Sequence, residues 1–219
     1  MGSMLSPATP PSEEDWSRID ARLAKADEDR WISSRYAPRR ERRALIALYA
    51  LNLELARVRT AVSEPTLGAI RFQWWRDALA EIEAGSPPRK HDVVLALAHC
   101  VQTGAHKVST LQRLVDGHED AFDAGDRSLE PEAMLMAISA NVLAGTHGWG
   151  EHLREVAPAY GALRRGDSKV FGPILPKVPA DIRPAVAHVR LRRLYSEGKL
   201  PKPLIRRLVV LKAMLTGRI

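Results

Sequence analysis

Three aspartates in the middle of the chain have the spacing of a metal site. Asp116, Asp120 and Asp123 lie four and three residues apart, so on a helix they share one face. Carboxylate oxygens are the ligands that Mg²⁺ prefers, and a few of them can hold the ion together with phosphate and water. The same spacing is typical of an acidic helix face in contact with water. The sequence therefore offers these residues as a weak divalent-metal site.

Other side chains that could do chemistry lack the partners that such chemistry needs. His147 and His152 stand five residues apart, so they do not form the zinc-binding HExxH pattern. The single cysteine, Cys100, excludes an internal disulfide, and its apolar surroundings predict a core position. The sequence contains no glycine-rich phosphate loop, and Ser139 has no recognisable nucleophile context. From these patterns we predict no catalytic residue.

Positive charge is concentrated at the C-terminal end of the chain. The 219 residues contain 33 Lys and Arg against 26 Asp and Glu, a net charge of +7. The segment from Arg183 to Ile219 holds ten basic residues and one acidic residue, Glu197, so the rest of the chain is slightly acidic. Such a segment favours an anionic partner, such as lipid headgroups, nucleic acid or an acidic protein face.

The last predicted helix, residues 202–216, combines this charge with an apolar face. A basic amphipathic helix can lie in a membrane interface. The commoner use of an apolar stripe is to dock on the protein core, which leaves the basic face in water. The leucines of the stripe are Leu204, Leu208, Leu211 and Leu215. The residues predicted to contact a membrane or another anion are Arg192, Arg193, Arg206, Arg207 and Lys212.

Apolar residues recur at three- and four-residue steps along most of the chain, which predicts helices. Asp27 is placed to cap a short helix, Pro38 to begin a long one, and Ser63 to cap the next. Pro158 is placed to kink or split a later helix. Alternating β-branched runs and Asn-Gly hairpin turns are absent from the sequence. The sequence therefore predicts an all-α fold.

The most specific pattern lies in residues 36–84, which read YAPRRERRALIALYALNLELARVRTAVSEPTLGAIRFQWWRDALAEIEA. With Trp74 and Trp75 between two arginines, this stretch resembles the squalene/phytoene synthase family, the head-to-head prenyl transferases. The resemblance covers roughly residues 31–176 and weakens beyond Leu143. It implies an isoprenoid-synthase-like helical bundle, in which aspartates on facing helices hold Mg²⁺ around a deep cavity. The short remaining chain is compatible with truncation of that bundle at its C-terminal end.

The residues that bind Mg²⁺ in that family are missing from this sequence. The three aspartate positions of the family's first motif correspond here to Ala56, Arg57 and Thr60. The second motif corresponds to ALRRGDSKVFGPILP, residues 162–176, where Asp167 alone survives. An arginine in place of a carboxylate repels a divalent ion. The resemblance therefore implies no cofactor, and Mg²⁺ only if other carboxylates have replaced the lost ones.

These departures are similar to those of one branch of the family, whose eukaryotic member supports the biogenesis of respiratory complex I. That branch also has the Asn-x-Glu-Leu-Ala pattern that occurs here at residues 52–56. The resemblance implies a retained fold with a changed use. The residues expected to line a retained ligand pocket are Tyr49, Asn52, Arg57, Arg71, Trp74 and Trp75. Of the two tryptophans, Trp74 is expected in the core and Trp75 only partly so.

The sequence favours the first of three functions, in which the chain is not an enzyme, and leaves the other two as alternatives. The first is a catalytically inactive scaffold at a membrane surface, with a protein partner such as a respiratory-complex subunit. The second is a Mg²⁺-dependent prenyl transferase that acts on isoprenoid diphosphates through substitute carboxylates such as Asp120. The third is a protein that binds an isoprenoid or another lipid in a retained cavity. Nucleic acid is a weak alternative, because no recognised reading motif accompanies the basic segment.

We predict a flexible leader at residues 1–13, a family-like helical domain at 14–177 and basic C-terminal helices at 178–219. The leader is rich in proline and small residues and begins with Met-Gly-Ser, which is typical of an expression tag. No stretch reaches the roughly 18–20 apolar residues of a membrane span, and the start does not resemble a signal peptide. The expected location is the cytoplasm, peripheral to the inner membrane, or the matrix side if the protein is organellar.

Overall fold

The described part of the protein consists of helices and the loops that connect them. A computed structural model describes residues 10–62, 64–145 and 147–219, and no β-strand occurs in these ranges. The all-α prediction is therefore confirmed. None of the described helices is long and apolar enough to cross a membrane. Ser63, the predicted helix cap, and residues 1–9 of the predicted leader lie outside the described residues.

The helices follow one another with short connections, apart from an irregular loop that precedes the last three. They are α1 (Glu13–Ala26), α2 (Glu28–Ser34), α3 (Arg39–Ala61), α4 (Pro65–Glu83), α5 (Asp92–Gln102), α6 (Val108–Asp123), α7 (Glu132–Ala144), α8 (Gly150–Arg165), α9 (Arg183–Val186), α10 (Arg192–Ser196) and α11 (Pro203–Thr216). Short 3₁₀ turns occupy Arg127–Leu129 and Ala187–Leu191. The second of these turns separates α9 from α10.

Local signals explain where the first helices begin. At the start of α1, the Ser12 amide donates to the Asp15 carboxylate at 2.8 Å and the Asp15 amide donates back to Ser12 Oγ at 3.1 Å. Asp27 caps α2, as predicted, by accepting from the Arg30 amide at 3.3 Å. Pro158 lies inside α8 without ending it, so the predicted split does not occur.

The described chain divides into two compact units. The first comprises the described residues up to Ala26 together with Ile46–Glu130, and the second comprises Asp27–Leu45 and Pro131–Ile219. Residues 39–45 of α3 belong to the second unit and residues 46–61 to the first. This division does not test the predicted boundary after residue 177, and the second unit includes residues on both sides of it.

The first unit is organised by the packing of α4 on α6 and of α1 on α5. Phe72 and Trp75 lie on the buried face of α4, and the Phe72 ring meets the Phe122 ring edge to face with centroids 5.7 Å apart. Gly68 allows this close approach, because a Cβ there would overlap the Phe122 ring. Ile70 lies off this face and is 59% exposed.

The core of the second unit is built mainly from α7, α8 and the chain around α9 and α10. Leu153, Val156 and Tyr160 from α8 are fully buried in it. Ser33 Oγ ties α2 to the start of α9 by donating to the Pro184 main-chain oxygen at 2.9 Å. Apolar burial of this kind contributes about 25 cal/mol for each Å² removed from water, which makes it the main favourable term for the unit.

A buried polar network lies at the centre of the second unit. Asp27 accepts from Arg164 at 3.1 Å and pairs with Arg30, which also binds Glu132. Burial opposes the ionisation of Asp27, but the cations of Arg164 and Arg30 outweigh it and hold the pKa of Asp27 well below its usual range. His188 packs against the Tyr160 ring, and burial together with Arg30 keeps its pKa well below the usual histidine range.

The last helix docks on the core of the second unit, but not through the face that the sequence predicted. Val210 and Ala213 are the residues of α11 that are buried. The leucine stripe is exposed instead: Leu204 to 67%, Leu208 to 52%, Leu211 to 38% and Leu215 to 73%. The expectation that this stripe would dock on the core is therefore wrong, and α11 presents an apolar face that no described residue covers.

The end of α11 offers a test of this docking. Gly217 has a left-handed φ of 66°, and a Cβ there would lie 2.8 Å from the Val178 main-chain oxygen. We expect Gly217→Ala to lower the free energy of unfolding by about 2 kcal/mol, because backbone strain and overlap both add to the cost. Gly198 has a similar φ of 69° with no atom within 4 Å, so Gly198→Ala is the matched control and loses about 1 kcal/mol. Urea unfolding measures both, and equal losses would contradict the overlap.

Candidate functional site

A pocket of about 580 Å³ lies in the first unit, between the last turns of α3 and the first half of α4. We call it the α3–α4 pocket. The residues that line it are Glu54, Arg57, Val58, Ala61, Ile70, Arg71, Trp74, Trp75 and His91. Four of these lining residues are ones that the sequence predicts to bind a ligand: Arg57, Arg71, Trp74 and Trp75. The fold places all four on this cavity.

The two tryptophans and His91 form an aromatic wall of the pocket. The rings of Trp74 and Trp75 are perpendicular with centroids 5.0 Å apart, and the His91 ring lies 5.7 Å and 5.4 Å from them. Trp75 is buried and Trp74 is half-buried, which is the reverse of the prediction. Adjacent residues on a helix point about 100° apart. Phe72 and Trp75 lie on the buried face of α4, so Trp74 is turned away from that face and lies at the pocket edge.

Arg89 fixes the loop that carries His91 to the side of α4. Its Nε and Nη2 atoms each donate to the Glu81 carboxylate at 2.8 Å, and Nη1 donates to the Trp74 main-chain oxygen at 3.2 Å. The guanidinium also lies 4.9 Å from the centre of the Trp74 ring. The hydrogen bond from Arg89 lowers the pKa of Glu81. The aromatic wall is therefore held in place before any ligand binds.

The mouth of the pocket is cationic. Glu54 is the one carboxylate among the lining residues, and its Oε1 atom lies 3.6 Å from both Arg57 Nη1 and Arg22 Nε. The Arg57 side chain is 59% exposed, and Arg71 forms no ion pair with any of the described residues. An aromatic wall with two accessible guanidinium groups matches an amphiphilic anion, whereas it repels a divalent cation.

Comparison with known proteins assigns the fold that carries this pocket. Residues 23–142, which include α3, α4 and the whole α3–α4 pocket, match the family model described as squalene/phytoene synthase. The chain belongs to the squalene/phytoene synthase family. The resemblance predicted from residues 36–84 is confirmed, and with it the isoprenoid-synthase-like helical fold.

Within this family, the chain is similar to proteins named complex I assembly factor 6. It is 33% identical over 101 residues to the human and the mouse protein, and 34% identical over 101 residues to the rat protein. Each match covers 46% of this chain and 30% of the relative, so it spans less than a third of the length of these relatives. No solved structure matches the chain significantly.

The Mg²⁺ ions that the squalene/phytoene synthase family implies do not fit the residues present here. The positions of the first aspartate motif carry Ala56, Arg57 and Thr60, none of which is a carboxylate, and Thr60 Oγ1 donates to the Arg57 main-chain oxygen at 3.0 Å. Asp167, the remnant of the second motif, accepts from Arg165 at 2.6 Å. In the described ranges, no group of three or more His, Cys, Asp and Glu side chains is arranged to hold a metal ion.

Tyr49 and Asn52, the other two predicted ligand-binding residues, do not line the α3–α4 pocket. Tyr49 is buried in α3 with 2% exposure. Asn52 Oδ1 lies 2.9 Å from Nε2 of the buried His118, which ties α3 to α6. Both residues are therefore placed to support the helices behind the pocket rather than to contact a ligand in it.

The three aspartates considered as a weak metal site lie along the exposed side of α6. Asp116 Oδ1 accepts from Arg76 Nε at 2.9 Å and from Nη2 at 2.7 Å, and Arg76 also binds Glu119. The hydrogen bonds that Arg76 donates to Glu119 and Asp116 raise the pKa of Arg76. Asp120 and Asp123 are exposed to solvent. The face is therefore acidic and solvated, with one of its three carboxylates already engaged by an arginine.

The basic residues predicted to contact a membrane or an anion divide into two groups. Arg193, Arg207 and Lys212 are exposed. Arg206 pairs with Glu28 and lies 3.1 Å from Asp29, so its charge is balanced within the second unit. Arg192 is fully buried, which corrects the expectation of a surface contact: main-chain oxygens hold its guanidinium inside the unit.

Sequence reasoning missed several residues of the site. The sequence pattern does not mark Glu54 or Ile70 as pocket residues. Arg89 and His91 follow two prolines beyond the end of α4, and no spacing rule connects them with Trp74. The adjacent tryptophans are the one local signal for the aromatic wall. They indicate the part of the pocket on α4 but not the contribution of His91 from the loop that follows α4.

Proposed function

We propose that this member of the squalene/phytoene synthase family is a catalytically inactive, assembly-factor-like scaffold, which binds a subunit of a respiratory complex at an anionic membrane surface. The observation that carries the proposal is the charge of the α3–α4 pocket. Arg57 stands at an aspartate position of the family motif, and Glu54 is shared between Arg57 and Arg22. A prenyl transferase of this family needs Mg²⁺ to neutralise the departing diphosphate, and this pocket offers the ion no carboxylate cluster.

The partner class is inferred from the relatives. The human, mouse and rat proteins to which the chain is similar are named assembly factors of complex I. A protein that has kept the helical fold and lost the metal ligands still offers its surfaces to other proteins. We therefore place a respiratory-complex subunit first among the candidate partners.

The membrane part of the proposal rests on α11. Its exposed leucines form an apolar stripe, and Arg207 and Lys212 are exposed on the same helix. A helix with this composition can bury its apolar face at the headgroup boundary while its cations contact anionic lipid. Each exposed Lys or Arg near such a surface adds about 1 kcal/mol.

Catalysis is tested directly by incubating the protein with farnesyl or geranylgeranyl diphosphate and Mg²⁺. We expect neither a coupled prenyl product nor release of pyrophosphate above the rate without protein. Turnover that depends on Mg²⁺ and disappears in Asp120→Ala would instead support a prenyl transferase with substitute carboxylates.

The scaffold role is tested in the cells that express the protein. Removing the gene is expected to reduce assembled, NADH-oxidising complex I on native gels and to leave partly assembled material. Wild-type protein restores the complex, and Trp74→Ala, which alters the α3–α4 pocket with little loss of core, reports whether the pocket takes part. Normal amounts of complex I after removal of the gene would overturn the scaffold proposal.

Binding to vesicles tests the membrane surface. We expect the protein to sediment with phosphatidylglycerol-containing vesicles and not with pure phosphatidylcholine. Leu204→Ser with Leu208→Ser is expected to weaken this binding at least tenfold, since each buried leucine contributes about 1.5–3 kcal/mol. The matched control is Leu67→Ser with Leu129→Ser, which removes two exposed leucines from the first unit. Equal binding by the two double variants would show that the leucine stripe of α11 does not contact the membrane.

A second candidate function, binding of an isoprenoid or another lipid, is favoured by the size and lining of the α3–α4 pocket. Its volume of about 580 Å³ is in the range of small-molecule sites, and Ile70 and Trp74 supply apolar surface beside Arg57 and Arg71. The test is mass spectrometry of lipids extracted from the purified protein, repeated with Trp74→Ala. A lipid that is bound by the wild type and lost in the variant would support this function, and its absence from both would count against it.

A further inference from the structure

A second pocket, in the second unit, is lined by an unusual number of cations. Its volume is about 660 Å³, and it lies between the loop that follows α8 and the residues of α10 and of the chain end. The basic residues that line it are Lys177, Arg192, Arg193 and Arg218. Glu197 is the one acidic residue among the lining residues, and it accepts from Lys199 at 2.6 Å. We call this cavity the loop pocket.

Arg192 is the buried cation of the loop pocket. Its side chain is fully buried, its Nη2 atom donates to the main-chain oxygens of Pro173 at 2.8 Å and Ile219 at 3.3 Å, and Nη1 donates to that of Phe171 at 3.3 Å. Its Nε atom has no hydrogen-bond partner among the described residues, and none of their side-chain carboxylates pairs with it. A buried cation is costly unless a negative charge compensates it.

The surroundings of Arg192 increase this imbalance. Burial and the neighbouring Arg193 lower the pKa of Arg192 to about 10. Arg190 donates to the main-chain oxygen of Arg218 at 2.6 Å, which brings a further guanidinium to the same end of the unit, and burial lowers its pKa as well. The basic side chains that line the loop pocket therefore outnumber its one acidic side chain, Glu197.

The loop that lines the loop pocket is held by contacts to neighbouring parts of the second unit. The Phe171 ring stacks 4.1 Å from the Arg192 guanidinium, and the Val178 amide donates to the Gly217 main-chain oxygen at 2.7 Å. Gly172 has a left-handed φ of 83°, and a Cβ there would lie 2.7 Å from the Ala159 Cβ, so the loop approaches α8 closely. These contacts hold Arg192 and the backbone of the loop in place without a ligand, which reduces the cost of binding one.

We propose that the loop pocket is a binding site for a phosphate group, with Arg193, Arg218 and Lys177 as the contacting cations and Arg192 as the buried cation behind them. Guanidinium groups match phosphate oxygens with two parallel hydrogen bonds, and several of them together favour an anion of more than one charge. Ile174, which is 92% exposed, and Leu175 supply apolar surface beside the cations. The phosphate comes either from a soluble anion or from a lipid headgroup.

The two sources are separated by the choice of probe. Isothermal titration calorimetry of the full chain at low salt uses inorganic phosphate in one arm and monomeric dihexanoyl phosphatidic acid in the other. Dihexanoyl phosphatidylcholine, whose headgroup has no net charge, is the control probe. Binding to phosphate alone identifies a soluble anion, and binding at least tenfold tighter to phosphatidic acid identifies a lipid headgroup. Both affinities fall as salt is added, because the contacting cations are exposed.

The variant Arg193→Gln with Arg218→Gln removes two exposed cations from the loop pocket and leaves the buried Arg192 in place. We expect it to bind either probe at least tenfold more weakly than the wild type. Arg113→Gln with Arg127→Gln is the matched control, since it removes the same charge from exposed positions of the first unit and is expected to bind like the wild type. No binding by the wild type, or equal weakening in both double variants, would overturn the site.

Discussion

Replacing Asp29 by alanine is expected to lower the free energy of unfolding by about 3–5 kcal/mol, the cost of breaking a buried charge network by removing one partner. Asp29 is 3% exposed, and its Oδ2 atom accepts from the Tyr195 hydroxyl at 2.6 Å and from the Tyr160 hydroxyl at 3.0 Å. Its Oδ1 atom lies 3.1 Å from Arg206 Nε. One side chain of α2 therefore holds α8, α10 and α11 together.

The alanine variant leaves two buried hydroxyls without an acceptor, and it leaves Arg206 and Arg164 with a single acidic partner each. Each buried polar group that loses its partner costs about 1–3 kcal/mol, which brings the sum into the expected range. Asp123→Ala is the matched control, because Asp123 is an exposed aspartate in the last turn of α6, and its loss is expected to stay within about 0.5 kcal/mol. Urea unfolding followed by circular dichroism measures both variants.

Asp29→Asn separates the charge from the hydrogen bonds. Asparagine keeps the size of the side chain and one acceptor oxygen, so it is expected to fall between the wild type and the alanine variant. A loss below about 1 kcal/mol for Asp29→Ala would mean that the network contributes little to stability, as replaceable buried ion pairs sometimes do.

The sequence predicted the helices well because their signals are local. Apolar spacing, the Asp27 cap and the proline at residue 38 act within one or two turns of the chain, and the structure follows them. The family was also readable, because residues 36–84 form one continuous stretch that carries most of its pattern. Four of the six predicted ligand-binding residues meet in one pocket for the same reason, since α3 and α4 are neighbours along the chain.

Features that depend on distant residues were not predictable from local patterns. Asp29 bonds to Tyr160, which lies 131 positions further along the chain, and to Tyr195, which lies 166 positions further along. No spacing rule connects residues so far apart. The burial of Arg192 depends on main-chain oxygens of the loop at residues 171–173, which a count of basic residues cannot reveal. The exposed leucine stripe of α11 was misassigned because a helix with apolar residues on two faces can dock through either one.

The same network predicts how stability changes at alkaline pH. Burial and the nearby Asp29 carboxylate raise the pKa of Tyr160 and of Tyr195 well above the usual tyrosine range. Arg164, Arg30 and Arg206 act in the opposite direction but do not outweigh burial. Both hydroxyls therefore stay protonated in the folded protein at a pH where the unfolded chain has lost those protons.

The direction of this pH dependence follows from the number of protons that the folded and unfolded states bind. Above about pH 10, the ordinary pKa of tyrosine, the unfolded state binds fewer protons than the folded state, so the free energy of unfolding falls as the pH rises. Each of the two tyrosines contributes a loss of about 1.4 kcal/mol per pH unit. Below that pH the tyrosines hold their protons in both states, so these two residues add no pH dependence to the free energy of unfolding.

Urea unfolding of the wild type and of Tyr195→Phe between about pH 9 and 11 measures this slope. The variant is expected to lose stability less steeply than the wild type by about 1.4 kcal/mol per pH unit above pH 10, and the difference cancels the titration of every group that the two proteins share. Tyr36→Phe, which removes the hydroxyl of a tyrosine that is 40% exposed, is the matched control with which the slope of Tyr195→Phe is compared. Equal slopes in all three proteins would show that the Tyr195 hydroxyl ionises in the folded state, so that Asp29 does not hold it as the geometry indicates.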